Sequence, residues 1–338
     1  MKSAIVVTSI SAPNAVLSSL AEGAKKSGFD FIVVGDTKSP DNFVLDGCDY
    51  FDVQAQISTG FSYAKLCPTR HYARKNIGYL IAIARGANLI VETDDDNFPR
   101  EQFFGPRARE VSCARNESPG WLNVYSYFST ATIWPRGLPL TEINRPAANF
   151  DDLPVVSNIC PIQQGLADEN PDVDAIYRLI LPLPQSFRSD RRVALSGNCW
   201  CPFNSQNTAW WPEAYPLLYL PAHCSFRMTD IWRSFVAQRI AYENDWAVLF
   251  HEATVWQDRN EHNLQRDFED EVPGYLKNDQ IRHALKRVSL QRGVDKISSN
   301  LRVCYEALVD LKVVGDAELP LLDAWIEDLR NLIPDRIA

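Results

Sequence analysis

The chain has 338 residues, enough to bury a large core, and its 46% hydrophobic content with nine tryptophans excludes a globally disordered protein. At roughly 150 residues per domain, this length suits two domains or one large one. The formal charge of −9 speaks against a generic nucleic-acid binder, which needs a basic face, but leaves room for a local basic pocket around a phosphorylated ligand.

The first ten residues are apolar over too short a run for a signal peptide or a spanning helix, and residues 4–10 read as a first strand. The chain is therefore expected to be cytoplasmic, with peripheral membrane association through partners left open. Pro13 and Asn14 open a helical stretch through Lys26 that Gly28 ends, and residues 31–36 form a second strand finishing in Gly35-Asp36. Ile77, Leu80, Ile81 and Ala84 share one face of a helix over residues 72–84, which feeds an apolar strand leading to Asp94-Asp95-Asp96. The first hundred residues thus read as a Rossmann-like half with ligand-facing loops at its strand ends.

Residues 121–125 suggest another strand, after which eight of the 21 prolines fall between Pro135 and Pro184 and exclude long regular elements. Such a region suits loops built over a site. Trp200, Trp210 and Trp211 follow it and could hold a sugar or base face, or simply fill core. A helix over residues 230–242 carries Asp230 in its first turn, and a strand over residues 246–250 ends at His251-Glu252. The tail past Asn278 reads as helices with apolar stripes that say packing. The eight cysteines lack zinc-ribbon spacing and read as reduced, mostly core thiols.

Three adjacent carboxylates repel, so Asp94, Asp95 and Asp96 imply solvation or a hard cation with oxygen ligands; an acidic turn capping the next helix is the alternative. Upstream, Arg70 and Arg74 lie one helical turn apart with Lys75 beside them, a set that could clamp a diphosphate at a helix start or form a solvated helix face. With strand-end loops at Thr8-Ser9-Ile10 and Gly35-Asp36 for base and ribose, these residues outline a nucleoside-diphosphate site bridged by Mg²⁺ or Mn²⁺.

The segments Arg74-Lys75-Asn76-Ile77-Gly78-Tyr79-Leu80 and Glu92-Thr93-Asp94-Asp95-Asp96-Asn97 resemble the STELLO-type glycosyltransferase-like family and, more distantly, reversibly glycosylated polypeptides. Gln164-Gly165-Leu166-Ala167-Asp168, Pro171-Asp172-Val173-Asp174-Ala175, Phe226-Arg227-Met228-Thr229-Asp230-Ile231-Trp232-Arg233 and Gln257-Asp258-Arg259-Asn260 add to the likeness, which spans residues 70–268 but not the helical tail. The resemblance implies an α/β GT-A fold, a nucleotide-sugar donor and an acidic metal motif. On it, Asp94 touches the donor ribose or sugar, Asp96 the metal, and His251 a further metal or diphosphate position. Asp230 matches the carboxylate that activates the acceptor in inverting members. Arg227 and Arg233 could hold phosphate or pair with Asp230.

The expected organisation is a GT-A-like domain over residues 1–275, divided at 130/131 into nucleotide-binding and acceptor-side halves, with a C-terminal helical extension over residues 276–338. The expected function is metal-dependent transfer of a sugar from a nucleoside diphosphate, a UDP-sugar first, to a glycan or glycolipid hydroxyl in polysaccharide biosynthesis. A nucleotide-sugar mutase and a non-catalytic scaffold are the alternatives, and homo-oligomerisation is left open.

Overall fold

The computed structural model describes residues 2–258 and 263–334. Its first half runs β1 (Ser3–Thr8), α1 (Ala15–Ser27), β2 (Phe29–Val34), β3 (Asp49–Phe51), α2 (Val53–Ser58), α3 (Ser62–Leu66), α4 (Lys75–Ala84) and β4 (Leu89–Thr93). Then come β5 (Asn97–Pro99), β6 (Glu110–Asn116), β7 (Gly120–Trp121), β8 (Val155–Ile159), β9 (Ile162–Asp168), α5 (Ala175–Ile180), β10 (Arg192–Leu195), β11 (Cys199–Trp200), β12 (Asn207–Trp210), α6 (Thr229–Glu243) and β13 (Val248–Gln257). Three helices follow: α7 (Leu264–Arg287), α8 (Ile297–Asp310) and α9 (Glu318–Leu332).

Local chemistry sets the opening βαβ unit. Asn14 caps α1 by accepting from the Leu17 amide at 2.8 Å, and Gly28 ends it at φ 72°, a left-handed conformation that costs glycine nothing. The β1 side chains alternate between layers, with Ile5 and Val7 in the cluster containing Leu17 and Leu20 of α1, and Ala4 and Val6 in the cluster containing Ile77 and Leu80 of α4. Gly78 lets α4 approach the sheet closely, since a Cβ there would lie 2.6 Å from Val6 and 2.7 Å from Val34.

The main sheet has the strand order β3-β2-β1-β4-β12-β9-β13-β10-β6-β8, with β5 paired to β13. Its first four strands are parallel, and β12 runs antiparallel to both β4 and β9. This is the Rossmann-like α/β arrangement that the GT-A resemblance implies, followed by a helical C-terminal region. All eight cysteines are free thiols. Among the described residues no helix is long and apolar enough to cross a membrane.

Three local expectations change. Of residues 121–125 only Trp121 is strand, at the end of the two-residue β7, which pairs with β11 outside the main sheet before a 3-10 turn at Val124–Tyr127. The proline-rich stretch contributes short elements only, yet one of them, β9, is a fully buried strand near the sheet centre. β13 does not stop at residue 250: it continues past His251 through a bulge to Gln257, which puts His251 within the strand.

The last helix ties back to the first half. Asp328 on α9 accepts from the backbone amides of Ser62 and Tyr63 at 2.9 and 2.8 Å, at the start of α3. Glu318, fully buried, accepts from the amides of Ala222 and His223 and from the Tyr219 hydroxyl.

Candidate active site

The ends of β1, β2 and β4 open into a cleft of about 850 Å³, the position where an open α/β sheet places its ligands. Thr8, Ser9 and Asp36 form one side and Asp94, Asp95 and Asp96 the floor, while Phe226, Arg227 and Asp230 face them from the second half. Residues 94, 95 and 96 are all partly exposed, each held by a different neighbour.

Asp95 accepts from Ser9 Oγ at 2.5 Å, and its carbonyl accepts from Asn14 Nδ2 at 2.8 Å, so the triplet is fixed to the loop ahead of α1. Burial raises the Asp95 pKa against the opposing Ser9 hydrogen bond. Asp94 accepts from Tyr72 OH at 2.7 Å and from Lys75 Nζ at 3.1 Å. Gln257 Nε2 lies 3.1 Å from both carboxylate oxygens of Asp96, whose carbonyl accepts from the Asp258 amide at 3.0 Å. Arg259 and Asn260, the rest of that segment, lie outside the described residues. Asp36 accepts from the His71 amide at 3.0 Å and so fixes the 70–72 segment against the strand ends.

The basic segment is not a helix face. A 3-10 turn at Tyr72–Arg74 precedes α4, and Arg70 lies before it at φ 55°, a left-handed conformation that is strained for arginine. Arg74 turns inward and is buried, donating to Gln56 Oε1 at 2.9 and 2.5 Å and to the Cys67 carbonyl at 3.1 Å. Lys75 is also buried, its ammonium serving Asp94, the Thr93 carbonyl and Tyr72 OH beneath the cleft. Arg70 alone of the three keeps its side chain exposed, where Lys38 and Arg266 also reach the cleft.

Asp230 is buried at the start of α6. Its carboxylate receives Arg136 Nη2 at 3.1 and 3.0 Å, the Ser205 amide at 3.2 Å and Ser205 Oγ at 3.3 Å. Burial works to raise its pKa, but the Arg136 guanidinium outweighs it and holds the carboxyl down to about 2. Arg136 also grips Asp172 in a two-point pair at 2.8 and 2.9 Å. Arg227 and Arg233 do not form this pair: Arg227 bonds Glu271 of α7, and Arg233 bonds Glu92 of β4.

His251 lies apart from the cleft. It sits between Gly165 of β9 and Arg192 of β10, about 20 Å along the strand from Gln257 at ordinary strand rise. Burial, with Arg107 nearby, lowers its pKa to about 4, so the ring is neutral at pH 7. Trp200, Trp210 and Trp211 are likewise absent from the cleft, packed in the core at 1%, 0% and 4% exposure. The aromatic rings on its wall are Tyr72 and Phe226, the latter 53% exposed. Sequence reasoning missed Tyr72, Arg136 and Ser205 as site residues. Asp172 stood in a quoted segment without a role.

Among the described residues no group of three or more His, Cys, Asp or Glu side chains is placed to hold a metal ion. The carboxylates at the cleft floor are oxygen donors, the ligand type of Mg²⁺ or Mn²⁺, and such an ion would need most of its ligands from phosphate and water. Exposed cations at the rim and carboxylates on the floor can accommodate a diphosphate together with such an ion.

A family model described as STELLO glycosyltransferases matches residues 227–335. The chain is similar to the STELLO glycosyltransferases. It is 28% identical to "Probable glycosyltransferase STELLO2" of Arabidopsis thaliana over 96% of its own length and 44% of that protein's. It is 28% identical to "Probable glycosyltransferase STELLO1" of the same plant over 71% of its length and 33% of that protein's. The chain thus spans less than half the length of these relatives. The STELLO match takes in α8 and α9, so the likeness reaches beyond residue 268 into the helical tail that the sequence segments left out.

Proposed function

We propose that the chain is a metal-dependent glycosyltransferase that moves a sugar from a nucleoside diphosphate, UDP first among them, to a hydroxyl of a glycan or glycolipid, with inversion at the anomeric carbon. One observation carries this reading: the acidic triplet after β4 and the Asp230 carboxylate of α6 face each other across a single cleft at the strand ends. The STELLO likeness supports the same class.

In this reading Thr8, Ser9 and Asp36 take the base and ribose, Asp94 orients the ribose or sugar, and Arg70 approaches the diphosphate from the rim. Asp96 would hold Mn²⁺ or Mg²⁺, which when bound supplies positive charge to the departing diphosphate. Arg74 and Lys75 act from below, bracing the wall and Asp94. The acceptor oxygen bonds to the anomeric carbon while the bond from that carbon to the diphosphate oxygen breaks, the diphosphate leaving with the electron pair. The hydroxyl proton passes to Asp230. Because Arg136 keeps Asp230 weakly basic, it orients the hydroxyl first and takes the proton only as positive charge builds on the attacking oxygen.

The test is calorimetric titration of the full chain with UDP, GDP, CDP and their glucose conjugates, with and without Mn²⁺. One nucleotide is expected to bind in a metal-dependent way, and Asp96→Asn is expected to abolish that dependence; absence of binding by all of them overturns the proposal.

Arg70 gives a second prediction. Arg70→Gly removes a left-handed penalty of about 1 kcal/mol and a cation from the rim. Denaturant unfolding is expected to show stability within about 1 kcal/mol of the natural protein, since glycine also loosens the unfolded chain. Diphosphate affinity is expected to fall roughly tenfold, the worth of one charge-assisted hydrogen bond. Unchanged affinity would place Arg70 outside the donor site.

A further inference from the structure

A row of hydroxyls joins the two carboxylates that the proposed reaction uses. Tyr72 OH lies 2.7 Å from Asp94 Oδ1 and 2.7 Å from Ser205 Oγ, and Ser205 Oγ lies 3.3 Å from Asp230 Oδ2. Lys75 Nζ donates to Tyr72 OH at 2.7 Å, which fixes that oxygen from the other side. The row therefore contains three contacts between oxygens but only two protons, one on each hydroxyl.

With both carboxylates ionised, three orders make two of the three contacts. In the first, Ser205 donates to Tyr72 and Tyr72 to Asp94, leaving Asp230 without the Ser205 proton. In the second, Tyr72 donates to Ser205 and Ser205 to Asp230, leaving Asp94 to Lys75 alone. In the third, each hydroxyl donates to its own carboxylate and the contact between Tyr72 and Ser205 carries no proton, so a new donor at either carboxylate still selects between the first two. A hydroxyl that donates to Asp94 displaces the Tyr72 proton and favours the second order; a donor placed on Asp230 favours the first.

We propose that Tyr72 and Ser205 are positioning residues that couple donor binding at Asp94 to the hydrogen bonding of Asp230 by reversing the direction of this row. The proposal rests on the reading of Asp94 as a ligand of the donor's ribose or sugar. It requires no change of protonation state. The information passes as the sense in which two hydroxyl protons point.

The coupling is testable because Asp230→Asn reverses one end. The side-chain amide that this substitution introduces can donate to Ser205 Oγ, which drives the first order and sets Tyr72 in competition with the donor hydroxyl for Asp94. With UDP-, GDP- and CDP-glucose as probes in Mn²⁺, Asp230→Asn is expected to weaken binding roughly two- to tenfold, the span of one hydrogen bond. In a Tyr72→Phe background the same substitution is expected to change affinity less than about twofold, because the row is cut. A parallel cycle of Ser205→Ala with Tyr72→Phe, in which the double variant binds no worse than the weaker single one, gives the answer if Asp230→Asn does not fold. Equal effects in both backgrounds overturn the coupling and leave the transferase reading standing. Failure of the natural protein to bind any probe overturns both.

Discussion

Glu92→Gln is expected to destabilise the protein by about 3–5 kcal/mol, the cost of leaving a buried charge without its partner. Glu92 on β4 and Arg233 on α6 are both essentially inaccessible, and the guanidinium meets the carboxylate in two bonds of 2.8 and 2.9 Å. Trp210 Nε1 donates to the same carboxylate at 2.8 Å, the Tyr79 hydroxyl donates to it as well, and Arg233 lies 5.0 Å from the Trp210 ring centroid. The amide of glutamine can keep the shape but not the charge, so Arg233 remains ionised with only the Asp230 carboxylate, already paired with Arg136, left nearby to balance it. Such a loss is a large fraction of the roughly 5–15 kcal/mol by which a folded domain is typically stable. Urea unfolding checks it: the midpoint should fall with little change in slope. Replacing the pair together, as Glu92→Met with Arg233→Leu, should cost much less, since a buried ion pair and a packed apolar pair often balance. A Glu92→Gln protein as stable as the natural one would mean that the pair contributes little. Because Asp94 follows Glu92 by two residues, loosening here should also disturb the cleft floor.

Asp230→Asn is expected to lower turnover by about 10²–10⁴, the usual range for a positioned proton acceptor, while donor affinity changes by no more than about tenfold. Steady-state kinetics with the donor that binds would check it, and a fall in affinity that accounts for all of the lost rate would remove Asp230 from the chemistry. The same side chain makes a prediction about acid stability. Its folded pKa of about 2 lies below the ordinary 3.8, so its charge stabilises the fold fully above pH 4 and this contribution fades as pH falls from 4 towards 2. The shift corresponds to about 2 kcal/mol. The stability gap between natural protein and Asp230→Asn should therefore narrow by about that amount across this window, as measured by unfolding at each pH.

Much of the nucleotide half is legible in the sequence because short-range rules determine it. Asn14 and Gly28 bracket α1 through local hydrogen bonding and a left-handed cap, and the apolar runs of β1, β2 and β4 match strands covered on both faces. The acidic triplet is readable for the same reason, since it stands at the end of such a strand. The basic segment misleads because helical spacing was extended across a turn: Arg70 precedes the helix in a left-handed conformation, so Arg70, Arg74 and Lys75 point in different directions. His251 misleads because a polar pair resembles a strand end, whereas β13 carries it inside between two neighbours. Arg136 is 36 residues from Asp172 and 94 from Asp230, within a proline-rich stretch that has no periodicity. Pairings at that range come from the sheet order, which no local pattern specifies.

The bond between Asp328 and the start of α3 bears on how the chain reaches this shape. Some 265 residues separate the carboxylate from the amides that it holds. During synthesis the early βαβ unit leaves the ribosome long before α9 exists, so the amides of Ser62 and Tyr63 must wait on water or on a chaperone. Completion of the nucleotide half therefore waits until α9 has been made, and the slow search to close so long a loop falls late in folding.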